Sequence, residues 1–255
     1  MGWQDRFSLS GRKALVTGAS KGIGAEICAV FAEAGADIVA LGRDKADLAA
    51  TAEAVRGHGR RCLPLVAEME SPTEPVQACE KALADWGTID ILVNSAGIAS
   101  VGPAVDFATA DWDRTMAVNL RAPFLTARTL APAMIAQRWG KIIMISSQTG
   151  VIALDDHAAY ATSKGGLNAL TKSLCAEWAR HNVQVNAICP TVVMTPMGRK
   201  VWGAPEKGDP FRNATPARRF AEPTEVADAA LYLASDASAM VNGALLMVEG
   251  GFTSV

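Results

Sequence analysis

The chain has 255 residues, with 24 Lys and Arg against 26 Asp and Glu, giving a formal net charge of −2. Half of the residues are hydrophobic and a fifth are charged, which excludes a disordered chain. The near-neutral balance leaves no electrostatic footprint for nucleic acid or an anionic lipid surface.

In chain order, strand-like apolar runs alternate with helical periodicity. Lys13–Thr17 is a short strand that runs into a Gly-rich turn. Gly22–Ala34 reads as a helix, since Ile23, Ile27, Val30 and Phe31 recur at helical spacing and Gly35 closes it. Asp37–Leu41 is the next strand, Asp44–Arg56 a helix, Arg61–Val66 a strand and Glu74–Trp86 a helix. Ile89–Val93 is apolar without interruption, as a strand covered on both faces requires. Asp111–Gln137 is one long helical region that Pro123 and Pro132 should bend or break. Lys141–Ser146 is a strand, Ala158–Arg180 a long helix and Val183–Ile188 a strand. Met194–Ala221 carries four prolines and weak periodicity, and reads as a long irregular lid or binding loop over residues 194–221. Glu222–Ser235 is a helix with Pro223 in its first turn, and Ala244–Val248 is the last strand. This alternation implies an α/β fold, a parallel sheet with helices on both faces. The length fits one such domain over residues 1–255.

Five widely spaced cysteines without a C-x-x-C pair, and only three histidines, argue against a disulfide framework or a structural zinc. Residues 1–10 carry Asp5 and Arg6 and no apolar core of a signal peptide, and no run of 18 apolar residues occurs. The expectation is a cytoplasmic protein that engages no membrane.

Chemistry is concentrated in a few places. Thr17-Gly18-Ala19-Ser20-Lys21-Gly22-Ile23-Gly24 lies between a strand and a helix. Glycines there allow a tight turn and close approach of backbone to a pyrophosphate, and the helix start offers free N–H groups. Tyr160 and Lys164 stand four apart on one helix, so their side chains are neighbours. A phenol is a poor base at neutral pH, and a nearby ammonium should pull its pKa down. Ser147 ends the preceding strand, where a hydroxyl can stabilise charge developing on a carbonyl oxygen.

Together these segments resemble the short-chain dehydrogenase/reductase family. The glycine spacing is T-G-x-x-x-G-I-G, and Asn94-Ser95-Ala96-Gly97 stands where the family has N-N-A-G. Asn119 lies in the following helix, Ser147 precedes Tyr160 by thirteen residues, and Tyr160-Ala161-Thr162-Ser163-Lys164 is the Y-x-x-x-K motif. Asn186 and Pro190-Thr191-Val192-Val193-Met194-Thr195 match the segment that folds over nicotinamide, so the resemblance covers Leu9 to Phe252. It implies a doubly wound, Rossmann-like domain with seven parallel strands in the order 3-2-1-4-5-6-7, and a homotetramer. It also implies hydride transfer between a nicotinamide dinucleotide and a small carbonyl or alcohol. Tyr160 would be the general acid or base and Ser147 would hold the carbonyl oxygen. Lys164 would hold the nicotinamide ribose, and Asn119 a water that relays protons to Lys164. The dinucleotide would lie against Gly18, Ser20, Lys21, Gly22, Ile23, Gly24, Arg43, Glu68, Met69, Asn94, Ala96, Gly97, Tyr160, Lys164, Pro190, Thr191, Val193 and Thr195.

Members that use NAD carry an Asp where this chain has Gly42, and Arg43 follows it, suited to a 2′-phosphate. With Lys21, this points to NADP(H) over NAD(H). Asp44 reads equally as a helix N-cap. Glu68 stands near the family's adenine-contacting Asp. Ser146-Ser147-Gln148, His157 and Trp202 resemble the L-xylulose (dicarbonyl) reductase branch and related sugar-alcohol dehydrogenases, with Thr191 in place of the common Gly. Ser147, Gln148, His157, Tyr160 and Trp202 would then meet a ketose, polyol or dicarbonyl. Two alternatives stand beside this. One is a 3-oxoacyl-[acyl-carrier-protein] reductase docking through Arg199, Lys200, Arg212, Arg218 and Arg219. The other is a catalytically silent dinucleotide sensor.

Overall fold

In the computed structural model, which describes residues 2–255, seven strands form one sheet. They are β1 Lys13–Thr17, β2 Asp37–Gly42, β3 Cys62–Val66, β4 Ile91–Asn94, β5 Gly140–Ile145, β6 Val183–Pro190 and β7 Leu245–Val248. Every neighbouring pair is parallel and the order is β3-β2-β1-β4-β5-β6-β7, as the resemblance implies. Pro64, which has no N–H for a ladder, lies on the edge strand β3.

After a short α1 (Trp3–Phe7), the connections carry α2 Gly22–Glu33, α3 Lys45–Gly57, α4 Glu74–Trp86, α5 Thr109–Met116, α6 Ala122–Gln137 and α7 Ala158–Trp178. α8 Pro196–Trp202, α9 Pro205–Ala214 and α10 Pro223–Ala234 follow β6. Side chains alternate across each strand. Ala14, Val16, Ile91 and Val93 therefore face α2 and α10 through Ile27, Phe31, Val226 and Leu233. Leu15 and Leu92 face α4, α6 and α7 through Cys79, Leu130, Met134 and Leu167. None of the helices among the described residues is long and apolar enough to cross a membrane.

Three sequence expectations change. The helical region before β5 is not broken: α5 and α6 are joined by a π-helical turn at Ala117–Arg121. Pro123 has no N–H to continue the α pattern, and the wider turn absorbs the loss. Pro132 is carried inside α6 on its exposed side. The irregular 194–221 stretch contains α8 and α9, each with proline at its first position, where a fixed φ and a missing N–H start a helix at no cost. The apolar positions Leu167, Leu170, Leu174 and Trp178 of the long helix exceed what one sheet face would cover and suggest a surface for a partner subunit, but in α7 Leu167 and Leu174 are buried in the chain's own core, with Leu170 and Trp178 packed against it.

Lys141 on β5 is only 1% exposed, and its Nζ bonds the Ser238 Oγ at 3.2 Å. Burial lowers its pKa to about 8, against a smaller opposing pull from Asp236. Below that pH the folded state holds a poorly solvated ammonium. Between about 8 and the ordinary 10.5 the unfolded chain binds more protons, so stability rises with pH. Lys141→Met is therefore expected to raise Tm at pH 7 by several degrees, an advantage that shrinks as pH approaches 10.5. Thermal denaturation of both proteins across that range measures it, and a destabilised variant at pH 7 refutes it.

Candidate active site

The strand order reverses between β1 and β4, and the turns leaving their C-terminal ends open the crevice where α/β sheets bind ligands. Gly18 and Gly22 there have φ of +68° and +62°, a region that side chains rarely adopt. A Cβ on Gly18 would stand 2.8 Å from the Ala96 backbone, and one on Gly24 2.3 Å from the Gly18 carbonyl oxygen. The Thr17 hydroxyl accepts bonds from the N–H groups of Ser95 and Ala96, both at 3.1 Å, and locks the two turns together. A Cβ on Gly22 would stand 3.1 Å from the Thr195 methyl, so the segment after β6 overhangs the Gly-rich turn. Lys21 is the N-cap residue of α2 and Ile23 lies in its first turn.

This cradle fits a dinucleotide. The Ser20 and Thr191 hydroxyls and the Gln148 amide oxygen are buried with no partner among the described residues. Buried polar atoms in native folds are nearly always bonded, so three orphans around one crevice point to a polar ligand. Pro190 ends β6, Val193 is buried and bridges Ala221, and Thr195 caps α8 by accepting the Gly198 N–H at 3.1 Å.

At the β2 end a Cβ on Gly42 would stand 2.3 Å from the Ser20 Oγ, so a side chain there would displace that hydroxyl. Arg43 is exposed and makes no hydrogen bond or ion pair with described residues. Asp44 caps α3, accepting from the N–H groups of Ala46 and Asp47 at 3.0 Å, and those bonds hold its carboxyl below the usual range. Lys21 meets Asp47 at 3.4 Å. The Ala67 N–H donates to the Gly42 carbonyl at 3.0 Å, which sets Glu68, exposed, and Met69, buried, beside the same turn. The Asn94 side chain instead faces α6: it accepts from the Thr126 hydroxyl at 2.8 Å and donates to the Pro123 carbonyl at 3.4 Å.

Tyr160 and Lys164 lie on α7, with the lysine Nζ 5.6 Å from the centre of the phenol ring. The expected depression of the phenol pKa is not found. Enclosure raises it, and the Ser147 hydroxyl lowers it by less. The ammonium donates to the Ile145 carbonyl at 2.8 Å, and burial lowers its own pKa to about 8. Ser147 Oγ accepts from the Thr149 N–H at 3.2 Å and the Thr149 hydroxyl at 2.9 Å, which leaves its own proton free. Asn119 lies in the π-helical turn, fully buried. Its amide bonds the Ile98 N–H and carbonyl, each at 2.9 Å, and Ser163 Oγ at 3.0 Å. A Cβ on Gly97 would lie 3.5 Å from that amide oxygen and 3.6 Å from Lys164 Nζ.

Gln148 follows Ser147 in a single 3₁₀ turn. His157 precedes α7, its ring edge-on to Tyr160 with centroids 6.3 Å apart. Trp202 packs on Phe211 and Phe220 inside the 194–221 segment, centroids 5.0 and 6.5 Å away. Two supporting residues escaped the sequence reading. Ser163 bridges Asn119 to the Tyr160 carbonyl, which it meets at 2.7 Å. Asn168 ties the Gln148 turn to α7 by donating to the Gly150 carbonyl at 3.2 Å. The spacing 160, 164, 168 on one helix face was the available signal.

A family model described as enoyl-(acyl carrier protein) reductase matches residues 18–253. The chain is 42% identical over 247 residues to D-threitol dehydrogenase of Mycolicibacterium smegmatis, covering 97% of this chain and 95% of that one. It is 39% identical to NAD-dependent glycerol dehydrogenase of Listeria innocua, covering 99% and 98%. It is 40% identical to L-xylulose reductase of Bos taurus, covering 96% and 97%. Among solved structures, a gluconate 5-dehydrogenase from Burkholderia cenocepacia in complex with NADP and tartrate is 39% identical, with a TM-score of 0.95 and 100% of both chains covered.

Proposed function

The chain belongs to the short-chain dehydrogenase/reductase family of nicotinamide-dependent alcohol and carbonyl oxidoreductases, and on that premise we propose that it interconverts a small polyol and its ketose, or a small dicarbonyl and its alcohol, with NADP(H) preferred over NAD(H). The observation that carries the reading is Tyr160, flanked by the Ser147 hydroxyl and the His157 ring, with the unpartnered Gln148 amide next in the chain.

When bound, the dinucleotide supplies or accepts a hydride at the reacting carbon. Tyr160 gives its proton to the carbonyl oxygen in reduction and recovers it in oxidation. Ser147, its lone pairs occupied by Thr149, donates to the same oxygen as charge builds there. Lys164 uses one of its three hydrogens on Ile145 and offers the others to ribose hydroxyls. The side chain of Asn119 is satisfied by Ile98 and Ser163, so it acts through its carbonyl. Residue 123, whose N–H would bond that carbonyl in an α-helix, is a proline, which supports a relay water on this oxygen. The 194–221 segment is the lid. Its ends are pinned by the Met194 N–H to the Ala221 carbonyl at 2.8 Å and the Ala221 N–H to the Val192 carbonyl at 3.0 Å, while its middle packs on itself and, through Phe211 stacked on Phe252, on the C-terminal residues.

The acyl-carrier reading is less supported. Arg212 is paired with Asp209 and Arg219 with Glu225, and Arg218 donates to the Asn213 carbonyl, leaving Arg199 and Lys200 as a sparse docking patch. Initial rates with NADPH and NADH against ketoses, diketones and acyl thioesters test the proposal. Turnover confined to acyl thioesters would refute it.

We also propose that the enzyme acts in the cytoplasm as a homotetramer. β7 is an edge strand whose four residues are all half-buried, and Met240 just before it is 98% exposed. An open apolar edge is an association site unless something covers it, and a second copy does so in closed symmetry. Sedimentation at micromolar concentration is expected to give a species well above the 26.7 kDa monomer. A monomer alone would sink the reading.

A further inference from the structure

We propose that the pocket selects neutral polyhydroxy substrates and discriminates against the carboxylates of the same carbon skeleton. This rests on the polyol and ketose reading above and goes one step further, since the similar proteins include dehydrogenases named for neutral polyols and for gluconate alike.

The polar groups near Tyr160 are set by what they can accept and donate. The Nδ1 atom of His157 lies 2.5 Å from the Asp155 carbonyl oxygen. A carbonyl only accepts, so Nδ1 carries the proton. In the neutral ring Nε2 is then a bare acceptor, on an imidazole held edge-on to the reacting phenol. Gln148 is 2% exposed and its amide oxygen has no partner. An amide offers an acceptor and a donor together, and a hydroxyl, being both, satisfies either. A carboxylate has no hydrogen to give, so it leaves the Nε2 lone pair and the amide oxygen unmet in a desolvated pocket.

Charge acts in the same direction. Asp155 and Asp156, adjacent to His157, are both exposed carboxylates, and Asp156 is held at φ +63° while its carbonyl accepts from the Gly102 N–H at 2.8 Å. That bond fixes the segment against the loop after β4, so an anion approaching the His157 ring meets like charge from the residues that precede it. The cation at the site, Lys164, already donates to Ile145 and is assigned to the ribose. In the 194–221 segment Arg212 and Arg219 are neutralised by Asp209 and Glu225, and the unpaired Arg199 and Lys200 are exposed on α8.

The test is a matched pair: D-sorbitol against D-gluconate in oxidation, and L-sorbose against 5-keto-D-gluconate in reduction, each with both dinucleotides. The neutral member is expected to have at least about tenfold higher kcat/KM, the equivalent of one or two hydrogen bonds gained or left unmet. Gln148→Leu is expected to lower the neutral member's kcat/KM through KM and to narrow the ratio, with NADPH fluorescence on binding reporting that the variant is folded. Equal or faster turnover of the acid, or a ratio unmoved by Gln148→Leu, overturns this inference while leaving the carbohydrate reading intact. Turnover of neither sugar pair, with diketones still reduced, removes the polyol reading and this inference together.

Discussion

Tyr160→Phe is expected to cut turnover by about 10²–10⁴-fold, the range of general acid catalysis, while dinucleotide binding stays close to wild type. The ring is retained, so its packing against His157 and beneath Lys164 is unchanged and only the hydroxyl is lost. The site keeps Ser147, whose free proton still meets the carbonyl oxygen, which is why the loss is bounded. Because enclosure raises the phenol pKa, Tyr160 starts protonated at neutral pH. Reduction draws on that form directly. Oxidation needs the phenolate, so its rate rises with pH in the wild type. Steady-state rates in both directions, with NADPH binding followed by fluorescence, check this. More than a tenth of wild-type turnover in the variant would remove Tyr160 from the proton transfer.

The fold was legible because both of its periodicities are strong. β4 and β5 are buried at every position and apolar apart from Asn94 and Lys141, and α2 places Ile27 and Phe31 on one side, so strand and helix separate without ambiguity. Boundaries blurred where a residue is buried outside the ladder. Ile89 is fully buried, yet β4 begins at Ile91, because Asp90 is tied to the start of β1 by its side chain and its N–H. The 194–221 segment is irregular in sequence because prolines signal a helix start and a break alike, and only tertiary packing of Trp202, Phe211 and Phe220 decides between them. In the site, residue types and spacing located Tyr160, Lys164 and Ser147 near one another. They did not reveal that Lys164 turns to the Ile145 carbonyl, that the Asn94 amide faces α6, or that Trp202 packs inside the lid. Those depend on which of several partners a long side chain finds, and neighbours distant in sequence settle it.

Arg43→Ala is expected to weaken NADPH by about 10- to 100-fold and NADH hardly at all, since a charge-assisted hydrogen bond contributes about 1.5–3 kcal/mol and only NADPH has the 2′-phosphate to receive it. Arg43 is the natural partner because it follows Gly42 at the end of β2, is exposed and forms no ion pair with described residues. Asp44, the acid in reach of a ribose, has one carboxylate oxygen committed to the start of α3 and cannot readily turn to grip a 2′-hydroxyl. Lys21 is a weaker second contact: it is drawn to Asp47 at 3.4 Å, and such an exposed pair contributes at most about 1 kcal/mol. Lys21→Ala should therefore cost less than Arg43→Ala, and the two losses should add only partly, because both groups address one phosphate. Exposure sets the conditions. At physiological salt the Debye length is about 8 Å, so the Arg43 effect shrinks as ionic strength rises, and the comparison belongs at low salt. The measurement is the ratio of kcat/KM for NADPH to that for NADH in the wild type and both variants. An unchanged ratio in Arg43→Ala would overturn the NADP(H) preference.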